Sequence, residues 1–190
     1  MQHVFKNIDN ALENPTPSNI ETTIQNMRSD EKKVNYFFSK ASKYQQLHLW
    51  LDPLFEAEFF SLNNKHEFQC RHILTFLEAV SIQEAVSIQK EPQAIEKLLS
   101  IANTTIESAT DDDIAWHMVK IIFNLPFEKI DQKHIDFIIS HIRTYQYESR
   151  LNHNIAKIVL PVIIKNKMKN YMVRLLDVIF GYTISTDTIS

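Results

Sequence analysis

The sequence predicts an all-α fold built from antiparallel helix pairs, and three observations predict it. The 190 residues include one glycine, Gly181, whereas β-hairpins and phosphate-binding loops use glycine for positive φ angles and close backbone approach. Apolar residues recur at helical spacing along most of the chain. Proline and capping residues separate these apolar segments. We therefore expect one all-α domain over residues 1–190, with residues 1–29 as an N-terminal capping region.

The first half of the chain contains four apolar stripes with i, i+3 or i+4, i+7 spacing, and each stripe predicts a helix. These stripes cover residues 4–12, 34–41, 47–55 and 73–80. Residues 14–18 form a connector with two prolines. Ser18 and Glu21 have the spacing of a capping box, which predicts a helix start at Ser18.

The second half contains five further stripes of the same kind. They cover residues 95–102, 114–122, 135–142, 155–163 and 172–180. Pro92 suits the first turn of a helix, and the Leu125-Pro126 pair predicts a stop after a helix that ends near Asn124. Pro161 lies inside a stripe, where the missing N–H and the ring predict a kink or a break.

A perfect tandem hexapeptide, Glu-Ala-Val-Ser-Ile-Gln, occupies residues 78–83 and 84–89. Six residues turn a helix by about 120° from the starting face, so the second copy cannot extend the stripe that precedes it. The alternation of Val and Ile with Ser and Gln would also permit a strand. We expect a long helix whose later part changes partner, and a short insertion-like duplication explains the repeat itself.

The predicted helix pairs start near Asp30, His66, Asp111 and Arg150, at intervals of 36, 45 and 39 residues. Units of roughly 40 to 47 residues are typical of HEAT and armadillo repeats, in which neither helix of a pair can bury its stripe alone. The spacing therefore predicts a short HEAT-like α-solenoid of antiparallel helix pairs. A compact multihelical bundle of the same helices is the alternative.

Two aromatic segments carry a resemblance to a known group of proteins. Residues 35–40 are Asn-Tyr-Phe-Phe-Ser-Lys, and residues 50–60 are Trp-Leu-Asp-Pro-Leu-Phe-Glu-Ala-Glu-Phe-Phe. Together they resemble a motif of large bacterial HEAT-like repeat proteins of poorly known function, in which a later helix also ends in Leu-Pro, as at 125–126. The resemblance covers about a third of the chain and implies a helical-repeat fold and no catalytic residue. Glu58 stands where glycine is common in that motif.

Cysteine content and hydrophobic run lengths bear on location. Cys70 is the single cysteine, so an internal disulfide is excluded and a reducing compartment fits. Residues 1–10 lack a hydrophobic segment of signal-peptide length, and the longest apolar run, 158–164, is too short to span a bilayer. We expect a cytoplasmic protein without a membrane partner.

Three clusters contain residue types that could bind metal or perform catalysis. The clusters are His66, Cys70 and His72; His134 and His141; and the acidic run 111–113. His66 and Cys70 could share a helix face, but His72 lies about 120° away from it. We expect Cys70 in the core, His134 and His141 as surface polar residues, and the acids as favourable charges at a helix start. With no glycine-flanked nucleophile, we expect no metal, no cofactor and no enzyme activity.

Charge is distributed unevenly along a chain whose net charge is −3. Residues 84–148 carry eleven acids against six Lys and Arg, whereas residues 149–176 carry six cations and no acid. The predicted partner-binding residues of this basic tract are Arg150, Lys157, Lys165, Lys167, Lys169, Tyr171 and Arg174. The tract could attract a phosphate backbone, an acidic protein or the chain's own acidic middle. A solvated loop with cations near a helix C-terminus is the alternative.

These observations predict a non-enzymatic interaction module or scaffold that binds a protein partner. Nucleic-acid binding through residues 149–176 is the alternative function. A helical-repeat DNA base-excision enzyme is a more remote one, because it would need a catalytic acid within a basic, aromatic-lined face, and residues 149–176 contain no acid.

Overall fold

The structure is a computed structural model, and it describes residues 5–60, 67–86, 92–108, 112–126 and 129–142, together with Leu160 and Ile164. Every regular element in these ranges is helical, which confirms the predicted all-α class there. The elements are α1 (Lys6–Glu13), α2 (Pro17–Arg28), α3 (Glu31–Ala41), a 3₁₀ turn (Leu47–Trp50), α4 (Leu51–Glu56), α5 (Glu67–Val86), α6 (Pro92–Ser108), α7 (Asp112–Asn124) and α8 (Gln132–Ile142). Within the described ranges, none of these helices combines the length and the apolar character needed to cross a membrane.

Several predicted helix boundaries are confirmed. Helices α3, α5 and α7 each begin one residue after the predicted start of a helix pair. Helix α6 begins at Pro92 and α7 ends at Asn124, as the proline positions predict. The fourth predicted start, Arg150, and the kink predicted at Pro161 lie outside the described residues.

The start of α2 differs from the prediction. The Asn19 N–H donates to Thr16 Oγ1 at 3.3 Å, so Thr16 is the N-cap and Pro17 is the first helical residue. Proline suits that position because its φ is already helical and its missing N–H would have no partner there. The capping box predicted at Ser18 and Glu21 is therefore wrong, since Pro17 moves the N-cap two residues towards the N-terminus.

An aromatic cluster joins α3, the 3₁₀ turn, the end of α4 and α5. Its members are Phe37, Phe38, Trp50, Phe59, Phe60 and Phe76, all buried. The ring centroids of Phe37 and Trp50 lie 4.8 Å apart, and those of Phe38 and Phe76 lie 5.6 Å apart in an edge-to-face arrangement. Each such pair contributes about 0.5–1.5 kcal/mol beyond the burial of its surface. The Phe-Phe and Trp segments singled out in the sequence therefore meet in one core.

The most extensive helix contacts join helices that are consecutive or next but one along the chain. Helices α2, α4, α6 and α8 contact one another in succession, and α3, α5 and α7 do the same. Consecutive pairs such as α2 with α3, α5 with α6 and α6 with α7 connect the two series. The contacts thus form an even-numbered series, from α2 to α8, and an odd-numbered series, from α3 to α7.

The tandem hexapeptide lies in α5 as far as the structure describes it, up to Val86, so a strand there is excluded. Glu78, the first residue of the first copy, has its Oε2 atom 2.9 Å from His117 Nδ1 in α7. Glu84, the first residue of the second copy, is buried with its Oε1 atom 3.7 Å from His48 Nδ1 in the 3₁₀ turn. The later part of the helix changes partner, as expected from the turn of about 120°.

Helix α4 ends in a Schellman motif that places a glutamate in a left-handed conformation. Glu58 has a φ of 62°. The Phe59 N–H donates to the Leu54 carbonyl at 3.0 Å, and the Glu58 N–H donates to the Phe55 carbonyl at 2.9 Å, which is the hydrogen-bond pattern of this cap. The cap turns Phe59 into the aromatic cluster. Glu58, where the motif that these segments resemble commonly has glycine, is thus the residue with a positive φ.

Replacing Glu58 with glycine should stabilise the protein. A residue with a Cβ atom loses about 1–2 kcal/mol in the left-handed conformation, and the greater chain entropy of unfolded glycine offsets part of this gain. We expect Glu58→Gly to raise the free energy of unfolding by about 0.5–1 kcal/mol in urea denaturation at unchanged m-value. The control, Glu56→Gly, places glycine in the last turn of α4 and should lower it by a similar amount. Equal effects of the two substitutions would contradict this account.

Candidate functional site

The partner-binding residues predicted from sequence, from Arg150 to Arg174, lie outside the described residues. The structure describes two residues of that region, and Leu160 packs against the hydrophobic core whereas Ile164 is exposed. The role of the basic tract therefore stays a prediction.

Three clefts adjoin on the side of the molecule formed by α2, the 3₁₀ turn, α4 and α6. The first, between α2 and α4, has a volume of about 480 Å³. The second, between α4 and α6, and the third, between the 3₁₀ turn and α6, have volumes of about 440 Å³ and 240 Å³. Leu49 lines the first and third clefts, and Asp52 lines the second and third. We call this continuous surface the even-helix face.

The cleft between α2 and α4, named the α2/α4 cleft, has an apolar floor and a polar rim. Its apolar lining residues are Pro15, Pro17, Ile20, Ile24, Leu49 and Pro53, and its polar ones are Glu21, Gln25, Arg28 and Glu56. Leu49 is 40% exposed although it is a large apolar residue. Glu21, Gln25 and Arg28 follow one another at i, i+4 and i+7, so they form one stripe along α2. The cleft therefore offers apolar surface beside charged groups.

The charges around the clefts differ in whether they are paired. In the cleft between α4 and α6, Lys97 Nζ lies 3.3 Å from Asp52 Oδ1, and Glu96 forms an ion pair with Lys129. Lys97 Nζ also lies 4.1 Å from the ring centroid of Phe55. Within the described part of the chain, the rim charges Glu21, Glu56 and Arg28 of the α2/α4 cleft have no ion-pair partner. These three groups are thus available to a bound molecule.

The position of Leu49 depends on a side chain from α5. Gln83 Oε1 accepts a hydrogen bond from the Leu47 N–H at 3.1 Å, and Gln83 Nε2 donates to the Tyr44 carbonyl at 2.7 Å. These two bonds hold the chain where Gln46 has a φ of 58°, just before the 3₁₀ turn. Sequence reasoning missed this link because no local pattern connects Gln83 to residues 36 and 39 positions earlier.

A charged cluster joins α5 to α7, two helices of the odd-numbered series. The carboxylate of Glu78 lies 2.9 Å from His117 Nδ1 and 3.4 Å from Lys120 Nζ. Burial raises the pKa of Glu78, but the hydrogen bond to His117 and the charges of Lys120 and His117 outweigh burial and hold the pKa below its ordinary value. Glu78 is therefore ionised and paired, and it connects two helices.

Of the residues considered as metal ligands, the structure describes the side chains of Cys70, His72 and His134, whereas those of His66 and His141 lie outside its description. Cys70 is buried, as predicted for a core residue. No three His, Cys, Asp or Glu residues among those described are grouped so that they could hold a metal ion. Asp112 and Asp113 of the acidic run are the first two residues of α7, and Asp111 lies outside the described residues.

The prediction that His134 is a surface residue is wrong, because its side chain is fully buried. The Asp131 N–H donates to His134 Nδ1 at 3.0 Å, and His134 Nε2 lies 2.8 Å from Asn103 Oδ1, which together place the proton of the neutral ring on Nε2. His134 Nδ1 also lies 2.9 Å from Asp131 Oδ1, a contact that becomes an ion pair only when the ring is protonated. Asp131 Oδ1 in turn accepts from the Lys133 N–H at 3.0 Å. His134 thus takes the place that Glu or Gln has in a capping box at the start of α8. The side chain of His141 lies outside the described part.

His134 should make stability depend on pH. Burial lowers the pKa of His134, and the nearby Asp131 carboxylate offsets this only in part. The unfolded chain therefore binds this proton more readily, so the contribution of His134 is complete above pH 6.5 and is lost as the pH falls below that value. We expect the free energy of unfolding, measured with urea between pH 8 and pH 5, to fall less steeply in His134→Gln than in the unaltered protein.

Glutamine suits this test because it keeps an acceptor for the Asp131 N–H and does not titrate. The comparison variant, His134→Ala, leaves that N–H without its acceptor and should cost about 2 kcal/mol at pH 8. Parallel pH profiles for His134→Gln and the unaltered protein would show that His134 does not titrate on unfolding as described.

The chain matches no protein-family model, no curated protein and no solved structure. The all-α architecture and the even-helix face are therefore the observations from which a function is proposed.

Proposed function

We propose that the chain is a non-enzymatic interaction module, a short HEAT-like α-solenoid that binds a protein partner on its even-helix face. The observation that carries this proposal is the row of three adjoining clefts on α2, the 3₁₀ turn, α4 and α6. Solenoid proteins commonly use one layer of helices as an extended binding surface.

The order of the helix contacts supports the solenoid architecture. In repeats of this type, each helix packs against the other helix of its pair and against the corresponding helix of the next repeat. The even-numbered and odd-numbered series of contacts and the pairs α5 with α6 and α7 with α8 have this order, whereas α3 and α4 are not among the extensively contacting pairs. The starts of α3, α5 and α7 also keep the intervals of 36 and 45 residues that predict such repeats.

The relation to bacterial HEAT-like repeat proteins is part of the same proposal. The two segments that carry the resemblance both contribute to the aromatic cluster, in which Phe37 packs against Trp50. A motif that serves packing is compatible with relatives that share a fold and differ in their partners.

The charges of the even-helix face favour a protein over a nucleic acid. The lining residues of its clefts include four acids, Glu21, Asp52, Glu56 and Glu96, and two permanent cations, Arg28 and Lys97. A phosphate backbone would be repelled by this excess of carboxylates. Exposed apolar side chains beside charged groups are instead typical of protein interfaces.

A charge placed at Leu49 should abolish partner binding. Leu49→Asp puts a carboxylate at the junction of two clefts, whereas the control, Ile82→Asp, alters a similarly exposed residue, 46% against 40%, that lines none of the three clefts. We expect quantitative affinity capture to show a loss of about tenfold or more of the specific partner with Leu49→Asp and little change with Ile82→Asp.

Circular dichroism of both variants checks that the helices are retained. Equal capture by the two variants would contradict the proposed face. A Lys165, Lys167 and Lys169 triple alanine variant tests the basic tract in the same assay, and loss of the partner with this variant alone would move the binding surface to residues 149–176.

A further inference from the structure

We infer that the α2/α4 cleft binds a basic amphipathic helical segment of the partner, with one large apolar side chain in the cleft and Lys or Arg beside it. This inference rests on the proposed function of the even-helix face and specifies the chemistry of its ligand.

The floor of the cleft selects side chains and offers no main-chain pairing. Pro15, Pro17 and Pro53 contribute ring surface and have no N–H to donate. The surrounding elements are helices and a 3₁₀ turn, so no strand edge in the described ranges is available to an extended peptide. A ligand helix inserting apolar side chains into a groove is the mode of recognition that fits such a surface.

The volume of the cleft sets the size of the inserted group. A space of about 480 Å³ lies within the range of roughly 300–1,000 Å³ found for ligand pockets, so it has room for at least one large apolar side chain. Leu49 is exposed on this surface, so insertion of an apolar group would bury it.

The rim carries two carboxylates, Glu21 and Glu56, that have no ion-pair partner among the described residues. In the adjoining cleft the carboxylates Asp52 and Glu96 are both paired with lysines. Glu21 and Glu56 are thus open to pairing with cations of a ligand.

Arg28 determines the orientation of the bound segment along α2. It lies two helical turns, about 10 Å, beyond Glu21 on the same stripe of α2, and it has no ion-pair partner in the described part either. A ligand helix with its cations near Glu21 and no cation near Arg28 would be attracted by Glu21 and would avoid repulsion by Arg28.

The test uses the full chain and three fluorescent synthetic helical peptides of about 14 residues. The first has leucines at i, i+4 and i+7 flanked by lysines near one end, the second has glutamates in place of the lysines, and the third has serines in place of the leucines. Fluorescence anisotropy at low and physiological salt measures binding. We expect the leucine-lysine peptide to bind at least about tenfold more tightly than the other two.

Charge reversal of the rim should reverse this preference. The double variant Glu21→Lys and Glu56→Lys should lower the affinity for the leucine-lysine peptide about tenfold and raise the affinity for the leucine-glutamate peptide. The matched control, Glu13→Lys, changes an exposed acid of α1 that lines none of the three clefts and should leave the order of the peptides unchanged. The Arg28→Glu substitution should raise the affinity for the leucine-lysine peptide.

Three results would overturn the inference. If the lysine-serine peptide bound as tightly as the leucine-lysine peptide, charge attraction alone would account for the interaction. Equal effects of the double variant and Glu13→Lys would remove the rim from the site. If all three peptides fail to bind while Leu49→Asp still abolishes partner capture, the proposed ligand is wrong but the proposed binding on the even-helix face is retained. If the peptides fail to bind and Leu49→Asp also has no effect on capture, both proposals are wrong.

Discussion

The packing of Phe37 against Trp50 holds α3 to the segment that contains the 3₁₀ turn and α4. Phe76 extends the same cluster into α5, so three consecutive parts of the chain share one core. The position of α4 relative to α2 is a consequence of this packing, and that position creates the α2/α4 cleft. The shape of the α2/α4 cleft therefore depends on the buried aromatic side chains that lie beneath it.

Helix α5 connects this core to α7 and to the segment around the 3₁₀ turn through polar groups as well as apolar ones. Glu78 pairs with His117 and Lys120 in α7, and Gln83 bonds to the backbone before the 3₁₀ turn. Partly buried polar groups are costly unless they are paired, so these contacts favour one arrangement of α5 over others with similar apolar burial. The arrangement that they favour is the one that presents Leu49 at the surface.

Local patterns in the sequence predict the helices well and the candidate site poorly. Apolar spacing and Pro92 locate α3, α5, α6 and α7 because each signal acts within a few residues. The spacing of Ser18 and Glu21 misplaces a cap because Pro17, which fits only the first turn, outweighs it. His134 shows that periodicity alone does not assign a polar residue to the outside, since its burial depends on Asn103 in another helix. The α2/α4 cleft could not be predicted either, because it joins outward residues of two elements that no local pattern relates.

The tandem hexapeptide has a geometric consequence for the evolution of this helix by repeat expansion. Two copies put identical glutamates against histidines of different elements, His117 of α7 for Glu78 and His48 of the 3₁₀ turn for Glu84. Three copies would span eighteen residues, which is five complete turns and about 27 Å of helix. A fourth copy, which would begin eighteen residues after the first, would therefore come back into angular phase with the first, so gain or loss of one unit changes the side of the helix that the motif presents as well as its length.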